Sequence, residues 1–387
     1  MRGLVFACLA AFGVACSAAS DPTGSQRAPI ISGHASDASQ DFVILLVHYD
    51  PSQGIVESCS GSLLAPNLVL TARHCVSNTD GQGFACDQNG NSLTGGGAIG
   101  SDFPASSLSV YYGETRPTLG VTPPDAKGAA IYHDGATNLC NHDLALVLLD
   151  QAIPGADIAQ IRLDSPPTVD ERTDAVGWGL VNDSTFPSVR QQRDNVLVQI
   201  VGPFAGSANQ LPVAPNDFLV GESICSGDSG GPSLDMTTNA ILGVVSAGGN
   251  NTAYDPNNPA GTCIGATNYY TRVDAFSDLI RQACADAGQD PWLEGGPDPR
   301  LAKFGDPCTT AADCQSGLCL DNGTCTQDCT ADPTSCPTGY DCTAVSDTQS
   351  ECTVHASGCE TSGHGGNGAG VIGVVLGLVG LVSRRRS

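Results

Sequence analysis

An all-β fold closed by one short C-terminal helix is the architecture this sequence predicts, on three observations. Gly 47 and Pro 24 among 387 residues, with aromatic content of 5 %, call for many turns between short strands. Apolar residues recur in short strand-like runs at 42–49, 61–71, 108–112 and 144–149, and again at 173–179, 195–201, 241–246 and 269–273. Residues 274–287 then switch to helical spacing through Phe276, Leu279, Ile280 and Ala283.

The segments outside these runs read differently. Residues 1–20 form a secretory signal peptide, with Arg2 as its charge and 4–14 as its apolar stretch. Gly13-Val14-Ala15-Cys16 resembles a bacterial lipobox with Gly13 where leucine is usual; lipidation of Cys16 and ordinary cleavage nearby both stay open. Residues 21–29 are polar and read as a propeptide, ahead of a main domain at 30–288. Residues 81–104, rich in Gly, Asn and Ser, read as an inserted loop. Residues 289–307, rich in Pro, Gly and Asp, read as a linker.

Residues 308–353 carry Cys308, Cys314, Cys319, Cys325, Cys329, Cys336, Cys342 and Cys352 with few large apolar side chains. Such a segment cannot build an ordinary core, so disulfides must hold it. A zinc site is the rival reading, but paired Cys-x-x-Cys spacing is lacking, and the connectivity is open. Residues 354–387 end in an apolar run, 369–382, followed by Arg384, Arg385 and Arg386. The run is shorter than the ~20 residues of an untilted membrane span. With Cys359 and a Gly-rich spacer before it, this end resembles the C-terminal sorting tail of myxobacterial surface proteins. That likeness implies processing near Cys359 and attachment through a short transmembrane segment.

The 18 cysteines place the chain in an oxidising compartment, secreted or at the cell surface, including an outer-membrane anchor. The net charge of −24 argues against nucleic acid and anionic membrane surfaces as partners.

Three motifs carry chemistry. Gly227-Asp228-Ser229-Gly230-Gly231-Pro232 sets a serine between glycines, where its hydroxyl is accessible and backbone N–H groups lie beside it. Attack on a carbonyl needs both a nucleophile and donors for the oxyanion. A base and its orienting carboxylate stand upstream: His74 in Leu70-Thr71-Ala72-Arg73-His74-Cys75, and Asp143 in Asn141-His142-Asp143-Leu144-Ala145-Leu146. His…Asp…Ser is one of the known chain orders of a catalytic triad. His48, His133 and His142 read as bystanders.

Together with Gly177-Trp178-Gly179, these motifs resemble the trypsin/chymotrypsin-like serine proteases across about residues 30–288. The resemblance implies two six-stranded antiparallel β-barrels, a C-terminal helix and an endopeptidase acting on protein or peptide substrates through an acyl-enzyme. It makes His74 the base, Asp143 its orienter, Ser229 the nucleophile, and the N–H groups of Gly227 and Ser229 the oxyanion hole. It pairs Cys59 with Cys75 and Cys225 with Cys263. Cys86 and Cys140 have no counterpart there, and a bridge between them would join the inserted loop to the segment before Asp143; Cys284 has no obvious partner.

The resemblance places Ser223 at the floor of the specificity pocket, Ser246 and Gly248 on the substrate-binding strand, and Asn268 on the opposite wall. With no carboxylate at Ser223, uncharged side chains are expected before the cleaved bond. Zymogen activation would free an ammonium at Ile30 to pair with Asp228, although Pro29 stands where Arg or Lys is usual. No metal or cofactor is expected. A catalytically idle, protease-like binding protein is the rival reading, with the Cys-rich module recognising a surface partner.

Overall fold

The computed structural model describes residues 33–355 apart from 51, 53, 182–184, 209, 251, 253, 254, 256 and 257. The signal peptide, the propeptide, Ile30 and the apolar tail with its cysteine lie outside the described residues. The chain divides into two compact units, with the break between Ala302 and Lys303.

The first unit begins with β1 (His34–Ala35), β2 (Val43–Asp50), β3 (Gly54–Ala65), β4 (Leu68–Thr71), β5 (Ser77–Thr79), β6 (Ile99–Asp102), β7 (Leu108–Tyr111), β8 (Ala126–Tyr132) and β9 (Ala145–Leu149). It continues with β10 (Arg172–Gly177), β11 (Gln191–Val201), β12 (Asp217–Val220), β13 (Pro232–Asp235), β14 (Ile241–Gly249) and β15 (Thr267–Arg272). In the order β2-β3-β4-β9-β8-β7 the first six-stranded antiparallel barrel closes. The second runs β11-β10-β13-β14-β15-β12 and closes because β12 pairs back onto β11; β1 adds to β11 from outside. The expected pair of barrels is therefore present.

Residues 43–47 are apolar without a break because both faces of β2 are covered. Val43, Ile44 and Leu46 belong to the large core, while Leu45 and Val47 pack with Tyr111 and Trp178. Each fully buried side chain of this size contributes about 1.5–3 kcal/mol.

In this unit six strands lie outside the runs expected from the sequence: β1, β5, β6, β8, β12 and β13. Residues 99–102, read as part of a loop, form β6 against β5. This pair is fastened by polar side chains rather than an apolar stripe: Ser77 Oγ donates to Asp102 Oδ1 at 2.9 Å, and Arg73 pairs with the same oxygen at 2.7 Å. β8 carries small residues where bulk is usual, since a Cβ on Gly128 would lie 2.4 Å from the Ala105 carbonyl oxygen. The helical stretch opens with a 3-10 turn, Asp274–Phe276, and then forms α1 (Ser277–Asp286), which buries Ile280, Ala283 and Cys284. Past α1, Trp292 and Leu293 pack on the barrel core, and Ile161 N donates to the Trp292 carbonyl at 2.9 Å.

In the second unit, β16 (Tyr340–Ala344) and β17 (Ser350–Val354) form a hairpin. Its bridges are Cys308–Cys319, Cys314–Cys325, Cys329–Cys342 and Cys336–Cys352. The pattern is first-to-third and second-to-fourth, repeated twice. All eight sulfurs are thus bonded to one another, which leaves no thiolate for the zinc alternative. Among the described residues no helix is long and apolar enough to cross a membrane.

Candidate active site

β4 is buried throughout and delivers the chain into a single 3-10 turn, Arg73–Cys75, that holds His74. The turn is anchored from both sides. Cys75 is bridged to Cys59 on β3, and the Arg73 guanidinium is paired with Asp102. Asp143 lies just before β9, is 0 % exposed, and follows Asn141, which adopts a positive φ of 72°. Asn141 is clamped in turn, because its side-chain oxygen accepts from Asn216 N at 2.6 Å. Cys140 is bridged to Cys86, so the inserted loop is tied to the aspartate's own turn. Closing that 54-residue span restrains the unfolded chain by about 4 kcal/mol.

The Asp143 carboxylate accepts three hydrogen bonds. His74 N donates to Oδ1 at 3.0 Å, Ser246 Oγ donates to Oδ2 at 2.7 Å, and His74 Nδ1 lies 2.8 Å from Oδ2. With Nδ1 turned to the carboxylate, Nε2 is the imidazole atom left to exchange a proton. Burial pushes the imidazole pKa down. The Asp143 charge and hydrogen bond, helped by the Glu57 charge, outweigh that and hold it above its ordinary value.

Ser229 stands on a turn flanked by Gly227 (φ 100°) and Gly230 (φ 76°). Gly230 is required sterically as well, since a Cβ there would lie 2.1 Å from Thr71 Oγ1. The turn is sewn to β3: Ser60 N donates to the Ser229 carbonyl at 2.8 Å and Ser60 Oγ to the Gly227 carbonyl at 3.0 Å. The N–H groups of Gly227 and Ser229 donate to no acceptor among the described residues, so both are free for a ligand oxygen. No hydrogen bond joins Ser229 Oγ to His74 Nε2; such contacts commonly tighten only when substrate is bound.

Asp228 points the other way, into the protein. Its oxygens accept from Gly179 N at 2.7 Å and Cys225 N at 2.8 Å. Gly177 and Gly179 leave room for it, because a Cβ on either would lie 2.3 or 2.4 Å from a carboxylate oxygen. It makes no ion pair among the described residues, and burial lifts its carboxyl to about 7. The backbone bonds and the Arg116 charge pull in the opposite direction. Arg116 is held by its own donation to the Trp178 carbonyl, at 2.9 Å, and by the Phe186 ring, at 4.3 Å.

A cavity of about 140 Å³ opens beside Ser229, walled by Ser246, Ala247, Gly248 and Cys263, with Asn268 among its lining residues. Cys225–Cys263 braces it. Ser223, expected at its floor, does not line it. Asn268 Nδ2 donates to Ser223 Oγ at 3.2 Å and to the Gly221 carbonyl at 2.9 Å, so the amide seals the serine off. Asn268 Oδ1 is buried without a partner. The bystander histidines are accounted for: His142 pairs with Asp134, His133 with Asp102, and His48 stacks on Phe103.

Three charged residues around this site carried no sequence signal. Glu57 and Arg116 sit in no recognisable motif. Asp217 is buried behind Ser246 and accepts from Thr271 Oγ1 at 3.2 Å, with burial lifting its carboxyl to about 7.

Residues 30–280 match the family model described as Trypsin. The chain is 30 % identical to kallikrein-4 of Homo sapiens over 234 residues, which is 58 % of this chain and 76 % of that protein. It is 27 % identical to beta-fibrinogenase mucrofibrase-1 of Protobothrops mucrosquamatus, covering 65 % of this chain and 87 % of the relative. Chymotrypsin-like elastase family member 3A of Homo sapiens is 26 % identical, over 62 % and 83 % respectively. With most of its length inside the matched region and both barrels in place, the chain belongs to the trypsin family of serine proteases.

Proposed function

We propose that this protein is a secreted serine endopeptidase that cleaves peptide bonds after small, uncharged side chains. The observation that carries the reading is the Asp143–His74 pair at 2.8 Å, beside a glycine-flanked serine with two free N–H groups. In this reading Ser229 Oγ attacks the scissile carbonyl carbon while its proton passes to His74 Nε2. The N–H groups of Gly227 and Ser229 take up the negative charge that forms on the carbonyl oxygen. His74 then hands the proton to the leaving amine, and water hydrolyses the acyl-enzyme by the same steps in reverse roles. Asp143 fixes the tautomer and offsets the imidazolium charge.

The preference follows from the cavity beside Ser229. No carboxylate lines it, so a substrate cation would be desolvated without compensation, at a cost of several kcal/mol. The Asn268 amide occupies its depth and leaves space for a short side chain. Activation would free the Ile30 ammonium to pair with Asp228, whose buried charge has no other ion partner among the described residues. Secretion is supported by the seven disulfides among the described residues, which suit an oxidising compartment.

The test is hydrolysis of a peptide library by the activated chain and by Ser229→Ala. Cleavage after Ala, Ser, Val or Thr, lost in the variant, is the expected result. Secretion of a folded chain that cleaves nothing would favour the protease-like binder instead.

A further inference from the structure

Glu57 lies on β3, two residues before the bridged Cys59, and its carboxylate has no hydrogen bond or ion pair among the described residues. Burial pushes that carboxyl up, while the His74 charge pulls it down. The charged groups that act on it are His74 and Asp143; among the described residues, no arginine or lysine lines the depressions it borders.

Its position explains what the charge is for. Glu57 borders a depression of about 470 Å³ whose other walls include Ile55, Ser58, Phe186, Gly227 and Ser229. It also borders a second depression, of about 340 Å³, with His48, Asp50, His74 and Phe103. The cavity under Ser246 and Gly248 reaches Ser229 from another side and does not include Glu57. Ser229 therefore divides two sites. If the acyl half of a substrate fills the cavity under Gly248, the leaving half must cross the depression beside Glu57. This rests on the acyl-enzyme reading above.

We propose that Glu57 selects a cationic side chain, Arg or Lys, on the leaving-group side of the scissile bond. Ile55 and Phe186, which are 43 % and 41 % exposed, offer apolar surface for the methylene stem of such a side chain. The Glu57 carboxylate would take the charged head in a charge-assisted hydrogen bond. The charged and titratable groups that face it are His74, Asp143, His48 and Asp50, so carboxylates outnumber any fixed cation there. The enzyme would then refuse a cation before the cleaved bond and favour one after it.

The test uses activated full-length protein and peptides identical before the scissile bond, with Arg, Lys, Ala or Glu at the first and second positions after it. Wild type is expected to favour Arg and Lys over Ala by about tenfold in kcat/KM. Glu57→Gln should bring that ratio close to one, and Glu57→Lys should turn it toward Glu. A ratio unchanged in Glu57→Gln, or a uniform loss on all four peptides, would overturn the proposal and leave Glu57 a structural residue. Wild-type cleavage with no bias after the bond would overturn it alone, whereas no cleavage of any peptide would overturn the protease reading with it.

Discussion

Gly248 and Asn268 face one another across β14 and β15, and a Cβ on Gly248 would lie 2.0 Å from Asn268 Oδ1. The glycine is therefore required by its cross-strand partner, and the pocket mouth is not widened by its lack of a side chain. The amide fills the space that the missing side chain leaves. It is fixed in orientation because Nδ2 faces the Gly221 carbonyl, which can only accept.

Replacing this amide should reshape specificity. Asn268→Gly is expected to open the cavity down to Ser223 and Tyr270. Relative kcat/KM for Phe over Ala before the cleaved bond should rise by at least about tenfold, the lower end of what one apolar contact contributes. A panel of chromogenic substrates reads this directly. An unchanged ratio would mean that Asn268 does not set the depth.

The pH profile follows from His74. The base must be neutral to accept the serine proton, and its pKa stands above the ordinary 6.5. The acid limb of kcat/KM should therefore fall at a pH above 6.5, with activity lost as the imidazole is protonated below it. Glu57→Gln removes one of the charges that raise His74, so the limb should move to lower pH while the Asp143 contribution remains. A limb below 6.5 in wild type would contradict the assigned environment of the imidazole.

Asp228 predicts a pH signature in the uncut chain. Its carboxyl is lifted from 3.8 to about 7 by burial. A raised carboxyl binds its proton more tightly in the folded state than in the unfolded one. The folded chain should thus lose stability as pH climbs between those two values and no further above them. Asp217 acts in the same direction and is common to both forms. Thermal unfolding of uncut Ser229→Ala protein at pH 5 and pH 8 should show the drop in Tm. The drop should shrink when Asp228→Asn is added, and also when the chain is cut ahead of Ile30. Equal drops in all three would speak against the pairing.

What could be read in the sequence depended on how local the signal was. His74, Asp143 and Ser229 each lie in a motif a few residues long, recognisable from neighbours such as Cys75, Leu144 and Gly230, even though Cys75 and Gly230 answer to distant partners, Cys59 and Thr71. Most of the barrel strand runs were visible as well, since residues 43–47 of β2 and 68–70 of β4 are apolar without a break. The pocket was harder. The resemblance puts Ser223 at the pocket floor, but its burial is decided by Asn268, 45 residues away on β15. Asp228 was legible as a charge, whereas the Arg116 that faces it came from no motif. β6 was missed because Ser77, Arg73 and Asp102 hold it with polar bonds that leave no apolar periodicity.

The central claim is that Ser229 is a nucleophile activated by His74 and Asp143, and covalent capture tests it most directly. Activated protein treated with a fluorophosphonate should gain one adduct, mapped by peptide mass spectrometry to Ser229. His74→Ala should slow that labelling by several orders of magnitude, and Ser229→Ala should abolish it. A correctly cut, folded chain that takes up no label at Ser229, or takes it up at the same rate without His74, would contradict the account.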